Sequence, residues 1–371
     1  MQESFDVVIV GAGIGGLSVA RLLGKYNLKV ALLDSKEDLN KVTFHTLGSF
    51  LNLDRFGLSR DVVAAEQTEV IIHSSHFHIR KKGKAYILNK QKLYKELLDK
   101  AIQNKVEIFS STYIKDVSTD TNGIITSISD EKGNTFTAKI FVDATGVEGL
   151  FSRKFGLQDE HLNIASGLEY NAQYFGPQYQ SHLFIGNLFR GGYGWIFPFG
   201  NDRAIIGYCS SNKTVRSHLK DKLNTMLEIP FIKKLVKKDN EELSGGTIPV
   251  NIKTKFVYKN VLCIGDSVSQ VNPIVGEGHR FIMEAGLMAA PVIQQAILQN
   301  NPELLHQYEI DWNKKFYKDY IWSKRGQMFA VKLSKHDILS DIATLFLATK
   351  RSSTFVNLLA GHIRPRYILF P

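Results

Sequence analysis

The sequence predicts a mixed α/β fold with a parallel sheet near the N-terminus, an antiparallel sheet in the middle and a helical C-terminal region. Residues 5–10 form a β-branched run that leads directly into a glycine-rich turn and a helical repeat. Residues 165–210 read as alternating strands rich in Tyr and Phe, and residues from 303 onward read as amphipathic helix. The length of 371 residues exceeds the usual size of one core, which favours two interleaved domains.

The elements of the predicted parallel sheet follow one another with short connections. After the first strand, helical spacing covers residues 15–26, and a second strand at 30–33 ends at Asp34. A helix is expected at 90–105. The short strands at 107–109, 114–117, 124–129 and 136–138, with turns at Asn122-Gly123 and Gly133-Asn134, predict a meander that covers the sheet. Further buried strands are expected at 140–143 and 261–264, and a further helix at 278–298.

Composition limits the classes of function. The only two cysteines, Cys209 and Cys263, lie in apolar strand-like runs, so we expect no disulfide framework and no metal site. The formal charge of +10 favours anionic surfaces, but the lysines match no DNA-reading motif, and we expect no nucleic-acid partner. No secretory signal and no apolar run of about 18 residues is visible. We therefore expect a cytoplasmic protein that does not span a membrane.

The N-terminal glycine turn carries the first functional signal. Gly11-x-Gly13-x-x-Gly16 lies between a strand and a helix, and Asp34 ends the next strand at the separation expected for a ribose-binding acid. Gly11 permits the tight turn, Gly13 lets the backbone approach a pyrophosphate, and Gly16 brings the helix against the strand. Ile14, Gly15 and Ser35 complete the predicted dinucleotide contacts. This pattern alone leaves NAD and FAD open.

Two further segments resemble flavoprotein motifs. The run Gly265-Asp266-Ser-Val-Ser-Gln-Val-Asn-Pro273-Ile-Val-Gly276-Glu-Gly278 is similar to the flavin-contacting motif of the p-hydroxybenzoate hydroxylase fold, and Asp143-Ala-Thr-Gly146 resembles the third fingerprint of that fold. The resemblance implies FAD, with Asp266 at the ribityl chain. It also places Pro273, Gly276, Gly278 and His279 around a helix N-terminus that faces the flavin ring. A helix N-terminus suits the negative charge of reduced flavin.

Within that fold, the sequence resembles the geranylgeranyl reductase group. Tyr193-Gly-Trp195-Ile-Phe197-Pro198, followed by Gly207, is similar to the Y-x-W-x-F-P signature of the group's substrate domain. The resemblance covers nearly the whole chain and implies reduction of isoprenoid double bonds by hydride transfer from reduced flavin. It departs at His279, where the group usually has an aliphatic residue, and at residues 43–48, where several members carry a cysteine.

The resemblance and the strand pattern together define predicted domains and a substrate wall. The Rossmann-like FAD-binding domain is expected at residues 1–75, 88–155 and 255–298, the antiparallel substrate domain at 76–87 and 156–254, and the C-terminal helical region at 299–371. Tyr193, Trp195 and Phe197 alternate along one strand and share a face. They form either a core layer or the wall of an apolar tunnel, and we favour the tunnel because glycines flank the strand.

The identity of the proton donor and the reaction both stay open at this point. Tyr193, Trp195, His279 and His45 are the candidate catalytic residues. A lycopene-cyclase-like reaction, a flavin monooxygenase and a prenyl-binding carrier of the dissociation-inhibitor type are the alternatives to reduction. Because one dinucleotide signature is visible, NAD(P)H or ferredoxin would dock transiently as the electron donor. An apolar isoprenoid substrate and the aromatic, basic C-terminal region also suggest peripheral contact with a membrane.

Overall fold

The computed structural model describes residues 2–42, 46–239, 243–365 and 367. The strands are β1 (Gln2–Val10), β2 (Val30–Leu33), β3 (Thr46–Ser49), β4 (Val63–His73), β5 (His78–Asn89), β6 (Glu107–Phe109), β7 (Ile114–Thr119), β8 (Ile125–Asp130), β9 (Thr135–Asp143), β10 (Ile164–Tyr174), β11 (Gln180–Phe184), β12 (Gly192–Gly200), β13 (Arg203–Ser210), β14 (Val236–Lys238), β15 (Ser244–Pro249), β16 (Val257–Tyr258) and β17 (Val261–Cys263). The helices are α1 (Ile14–Leu23), α2 (Leu53–Phe56), α3 (Lys90–Gln103), α4 (Leu150–Lys154), α5 (Lys213–Arg216), α6 (Leu219–Leu227), α7 (Pro230–Leu235), α8 (His279–Leu298), α9 (His306–Leu333), α10 (Asp337–Ala348) and α11 (Ser352–Leu359).

The first sheet has the order β16-β17-β9-β1-β2-β6. Its central strands are parallel, and β7 and β8 extend it as an antiparallel meander joined through β9. Strand β9 runs unbroken through the two predicted strands at 136–138 and 140–143. Residues 7–10 of β1 and all of β2 are buried, because helices cover a parallel sheet on both faces. The predicted parallel sheet and meander are confirmed.

The second sheet has the order β14-β10-β13-β12-β11-β4-β5-β3, with β15 beside β10. Its pairings are antiparallel except for β4 with β11. Strands β3 and β4 come before residue 76 in the chain and yet pair in this sheet. The sheets therefore do not divide at the boundaries expected from the sequence, and the domain limits stay a prediction.

Helix α8 is the central helix of the first layer. It packs against α1, and Gly286 lies so close to Ser18 that a Cβ on Gly286 would reach the Ser18 Cβ at 2.8 Å. By length and composition α8 is the one described helix that could cross a membrane, which the sequence reading had not anticipated. Because 56% of its apolar window is buried inside the protein, we interpret α8 as a core helix.

The two faces of the second sheet differ in what covers them. Helices α5 to α7 cover the outer face around Tyr170, Ile196 and Ile206. The opposite face looks toward the first sheet and the C-terminal helices. Helices α10 and α11 pack on β5, where Phe355 joins the apolar side chains of β4 and β5. The mixed α/β class and the helical C-terminal region are confirmed.

Candidate functional site

The glycine turn after β1 adopts the geometry that its spacing predicts. Gly11 has a φ of 103°, which favours glycine, and a Cβ there would strike the carbonyl of Ala144. A Cβ on Gly16 would strike the carbonyl oxygen of Gly11. A Cβ on Gly13 would meet nothing within 4 Å. Gly11 and Gly16 are therefore needed for packing, whereas Gly13 leaves the approach to the turn open.

Asp34 is tied to this turn. Its carboxylate accepts hydrogen bonds from the backbone N–H of Ala12 at 2.6 Å and of Lys36 at 2.8 Å. These bonds hold the acid beside the glycine turn at the carboxyl end of β2. Neighbouring Ser35 is exposed. The arrangement places a carboxylate where a ribose would lie if a pyrophosphate rested on the turn.

The second motif, residues 265–278, contains polar atoms that fit a bound ligand. Among the described residues, Asp266 Oδ1 and His279 Nε2 are buried without a hydrogen-bond partner. Both belong to the segment that runs into the N-terminus of α8, whose first N–H groups lack partners within the helix. Since buried polar atoms are normally paired, these two orphaned atoms fit a polar ligand with hydroxyl donors such as the ribityl chain of FAD. The adjacent helix N-terminus suits the negative charge of a reduced flavin ring.

Burial shifts the titration of both groups. Burial raises the pKa of Asp266 to about 6, although Lys90 opposes this shift. Burial, reinforced by Lys90, lowers the pKa of His279 to about 3. His279 is therefore neutral at ordinary pH and can hold a proton on one ring nitrogen only. A neutral imidazole is a weak acid, which makes His279 a poor proton donor.

The three aromatic side chains of β12 form one continuous surface. The ring centroids of Tyr193 and Trp195 are 5.8 Å apart, and those of Trp195 and Phe197 are 6.2 Å apart. All three are only half-buried, while Gly194, Ile196 and Pro198 on the other face of the strand are buried. A core layer would bury the aromatic face as well. The rings therefore line an accessible wall.

The wall adjoins the second motif directly. The Tyr193 hydroxyl donates a hydrogen bond to the carbonyl of Val275 at 2.6 Å, and a Cβ on Gly276 would lie 3.4 Å from that hydroxyl. At the other end of the wall, a Cβ on Gly48 would meet the Phe197 ring at 3.2 Å. Because Tyr193 is committed to Val275 and burial raises its pKa well above the ordinary value, it is a positioning group rather than an acid.

A buried carboxyl, Glu169, lies at the centre of this wall. Glu169 on β10 pairs with Gly207 on β13, which pairs with Trp195 on β12. The Trp195 indole lies over Gly207, since a Cβ there would overlap the ring. Glu169 is 5% exposed, and its Oε1 has no partner among the described residues. Burial raises its pKa to about 8, against the opposing effects of Lys90 and Trp195. Glu169 therefore holds a proton at neutral pH.

Lys90 connects this carboxyl with the second motif. It is the first residue of α3, and its ammonium interacts electrostatically with both Glu169 and Asp266. Burial lowers its pKa to about 8. The ammonium lies 5.4 Å from the ring centroid of Tyr94, which in turn lies 6.1 Å from the ring centroid of His279. A cluster of titratable groups thus joins the two layers where the second motif meets the aromatic wall.

The remaining predicted residues fall into three groups. Gly15, Gly265 and Gly278 pack against Ile282 of α8, and Pro273 is buried. Gly146 has a φ of 68° and open space at its Cβ position, whereas Asp143 next to it caps the turn by accepting bonds from Thr145, Phe151 and Ser152. His45 lies outside the described residues.

Sequence reasoning missed Glu169 and Lys90. Glu169 is the single charged residue of strand Ile164–Tyr174, two positions from Gly167 on the same face. That isolated charge was the one feature of the sequence that could have indicated a functional role for Glu169. Lys90 follows the helix-capping Asn89, whose side chain accepts a bond from the Lys92 N–H, and it resembled an ordinary first-turn lysine. The pairing of β10 with β13, and of β13 with β12, brings Glu169 to the wall, whereas the start of α3 places Lys90 near Glu169.

Comparisons with known proteins agree with this geometry. A family model for lycopene cyclase proteins matches residues 6–331. The digeranylgeranylglycerophospholipid reductase of Thermoplasma acidophilum is 26% identical, with 92% of each chain covered, and that of Methanococcus vannielii is 25% identical, with 91% of this chain and 90% of the relative covered.

Solved structures share the fold. A geranylgeranyl bacteriochlorophyll reductase-like protein from Thermoplasma acidophilum matches with a TM-score of 0.87 at 23% identity, covering 100% of this chain and 96% of that one. The flavin-dependent brominase Bmp2 matches with a TM-score of 0.72 at 18% identity, covering 97% and 99%. The resemblance to the geranylgeranyl reductase group is confirmed.

Proposed function

The chain belongs to the lycopene cyclase protein family, and within this family we propose that it is an FAD-dependent oxidoreductase that reduces carbon–carbon double bonds of an isoprenoid substrate. The observation that carries the proposal is the contact between the aromatic wall and the second motif, made by Tyr193 and Val275. It brings an apolar, half-open surface beside a site suited to a flavin. The relatives named as reductases favour reduction over the other reactions on this fold.

FAD would be held by residues from three parts of the chain. The glycine turn with Asp34 suits the ADP half, and Asp266 with the α8 N-terminus suits the flavin half. When bound and reduced, FAD supplies the hydride for the reaction. Gly13 and Gly146, with open space at their Cβ positions, leave room for its approach.

The aromatic wall and Glu169 would supply the rest of the chemistry. Tyr193, Trp195 and Phe197 cover an apolar chain and exclude water from the reacting carbons. Reduction of an alkene adds a hydride to one carbon and a proton to the other. Glu169 holds a proton beside Trp195, and we assign the donated proton to this carboxyl, which regains it from solvent after turnover.

The electron source and the cellular setting belong to the same proposal. A reduced carrier, NAD(P)H or ferredoxin, would dock transiently, because the sequence has one glycine-rich dinucleotide signature. The protein would work in the cytoplasm with peripheral contact to a membrane, where a long isoprenoid substrate resides. The expected division into an FAD-binding domain, a substrate domain and a C-terminal helical region is part of the same proposal, with β3 and β4 contributing to the second sheet from outside residues 76–87 and 156–254.

The test is anaerobic reduction of the purified flavoprotein with polyprenyl lipids of several lengths, followed by mass analysis of the products. We expect each product to gain two hydrogens for every double bond reduced. A product of unchanged mass would instead identify a cyclase, the second candidate, which the family model favours. A colourless protein that binds prenyl lipids without converting them would contradict both enzymes and point to a carrier.

A further inference from the structure

Helix α10 has its polar and apolar sides reversed relative to an ordinary surface helix. Its buried residues are Ser340, Asp341 and Thr344, which are 2%, 5% and 0% exposed. Its exposed residues include Ile338 at 70% and Ile342 at 57%, followed by Leu345 at 46% and Phe346 at 41%. The exposed positions recur at helical spacing and therefore form one stripe. A helix of a soluble body normally presents the opposite arrangement.

Specific bonds fix this orientation. Asp341 accepts hydrogen bonds from the backbone N–H of His76 at 3.1 Å and pairs with the His76 ring at 2.7 Å. Asp337 accepts bonds from the Asn187 N–H at 3.0 Å and from the Ser75 hydroxyl. The polar side is thus held by the segments next to β4, β5 and β12. Rotation of α10 to bury its apolar stripe would break all of these bonds.

The exposed apolar surface continues onto the end of α9. Met328 is 56% exposed and Phe329 is 63% exposed, one turn before the link that leads into α10. We call Met328, Phe329, Ile338, Ile342, Leu345 and Phe346 the apolar patch. Scattered apolar residues are normal on a surface, but six large ones within one helix pair are a mark of an interaction surface.

The charges around the apolar patch indicate which kind of surface it binds. Residues 322–351 contain six lysines and arginines but two acids, Asp337 and Asp341. Both acids are bonded toward the protein body, whereas Arg325, Lys332, Lys335 and Arg351 are exposed. Their positive charge complements an anionic surface, and apolar side chains between cations match the boundary between lipid headgroups and acyl chains.

The apolar patch also lies close to the candidate site. Gly326 of α9, two residues before Met328, packs on Ile274 of the second motif, since a Cβ there would meet the Ile274 side chain at 3.0 Å. Ser334, in the link between α9 and α10, accepts a bond from the Gly191 N–H at 3.1 Å, two residues before Tyr193. The patch therefore adjoins the start of the aromatic wall.

We propose that the apolar patch docks the protein on an anionic phospholipid bilayer, with α10 lying in the plane of the headgroups. Within the aromatic, basic C-terminal region that the sequence favours for membrane contact, Tyr320 and Lys350 are each 4% exposed, whereas every residue of the apolar patch is at least 41% exposed. The proposal concerns where the protein works and goes beyond the reaction itself. In combination with the proposed function, it brings the wall to the membrane that holds the substrate.

The test is cosedimentation of the flavin-loaded protein with vesicles of neutral phosphatidylcholine, alone or with about one-third anionic phosphatidylglycerol. We expect binding to the anionic vesicles and weak binding to the neutral ones. The double variant Ile338→Ser/Ile342→Ser and the variant Lys332→Glu/Lys335→Glu should each lower the partition constant by about tenfold or more. The controls are Leu298→Ser, which removes an apolar side chain that is 67% exposed, and Lys25→Glu/Lys220→Glu at other exposed positions.

Flavin absorbance and thermal unfolding of each variant show that the fold is retained. Vesicle binding requires no turnover, so its outcome is independent of whether the protein reduces isoprenoids. Equal binding by the patch variants and the wild-type protein would overturn the proposal. The proposal would also be overturned if the wild-type protein failed to bind anionic vesicles and light scattering showed a wild-type dimer but monomeric patch variants. The patch would then join two copies of the chain.

Discussion

At the scale of single residues, the protonation of Glu169 decides what the aromatic wall can do. Its carboxyl is buried, one oxygen is without a partner among the described residues, and its pKa is raised to about 8. A buried carboxyl with one oxygen left without a hydrogen-bond partner is costly for stability. Carboxyls of this kind are common at functional sites. The burial that lowers the stability of the fold also raises the pKa, so the carboxyl keeps a proton that it can donate to a substrate.

Replacement of Glu169 by Gln tests this role. We expect turnover to fall by about 10²- to 10⁴-fold with flavin content unchanged, since the amide cannot donate a proton as an acid. Wild-type turnover should decline as the pH rises through about 8, and the residual activity of the variant should lack this decline. The exposed Glu131→Gln variant is the control, and equal turnover of Glu169→Gln and wild type would exclude Glu169 as the donor.

The Glu169→Gln substitution should also change how the free energy of unfolding depends on pH. Because the pKa of Glu169 is raised in the folded protein, its contribution to stability is fully present below the ordinary value of 4.5 and is lost as pH rises through about 8. Urea unfolding at several pH values in this window should show a steeper loss of stability for the wild type than for Glu169→Gln. Parallel curves would mean that Glu169 is ionised in the folded state.

Gly207 makes room for the Trp195 indole, and a double-mutant cycle measures this dependence. A Cβ at residue 207 would overlap Cζ2 and Cε2 of the indole, so Gly207→Ala should destabilise the protein by about 1–3 kcal/mol. Phe lacks the outer ring atoms, and in the Trp195→Phe background the same change should cost less. Equal costs in both backgrounds, measured by urea unfolding, would show that the ring is not confined by Gly207.

At the scale of elements, the β1-turn-α1 unit separates two functions of glycine. Gly13→Ala adds a Cβ into open space, whereas Gly16→Ala drives a Cβ into the carbonyl of Gly11. We expect Gly13→Val to retain the fold and lose flavin, because its side chain occupies the approach of the pyrophosphate. Gly16→Val should lose flavin and should also lower the unfolding temperature. Absorbance at the flavin band and thermal unfolding distinguish the two, and full flavin content in Gly13→Val would contradict the site assignment.

The helices and strands differ in how well the sequence predicts their positions. Strand β2 was predicted at its observed limits, and β1, α3 and α8 to within a few residues, because buried parallel strands and long helices have strong periodicity. Strands β3 to β5 were not recognised, since β5 is rich in lysine and lies against the C-terminal helices. The reversed pattern of α10 could not be read either. Periodicity indicates an amphipathic helix but not which side faces the body.

The candidate site was predictable where one continuous segment carries it. The second motif and the aromatic strand each follow a local pattern, and the structure brings both to the same region through Tyr193 and Val275. Glu169 and Lys90 join that region only through long-range pairing of β10 and through the start of α3. Neither contact leaves a local signature in the sequence.

At the scale of the whole molecule, Asn272 joins three distant parts of the chain. It is 0% exposed, and its Oδ1 accepts a bond from the Ile274 N–H at 3.2 Å, within the second motif. Its Nδ2 donates to Ser323 Oγ of α9 at 3.0 Å and to the Gly361 carbonyl at 3.2 Å. One amide therefore connects the loop that precedes α8 with α9 and with the segment after α11.

Replacement of Asn272 by Ala should weaken the attachment of the C-terminal helices to the second motif. The loss of several buried hydrogen bonds, which leaves the Gly361 carbonyl with one partner fewer, should lower the free energy of unfolding by about 1–3 kcal/mol. Flavin should also dissociate more readily, because the loop that shapes the α8 N-terminus loses its support. Urea unfolding and flavin titration measure these effects, with exposed Asn122→Ala as the matched control. Faster amide hydrogen exchange in residues 352–363 of the Asn272→Ala protein should accompany the weaker flavin binding, whereas weaker binding with unchanged exchange there would confine the role of Asn272 to its own loop.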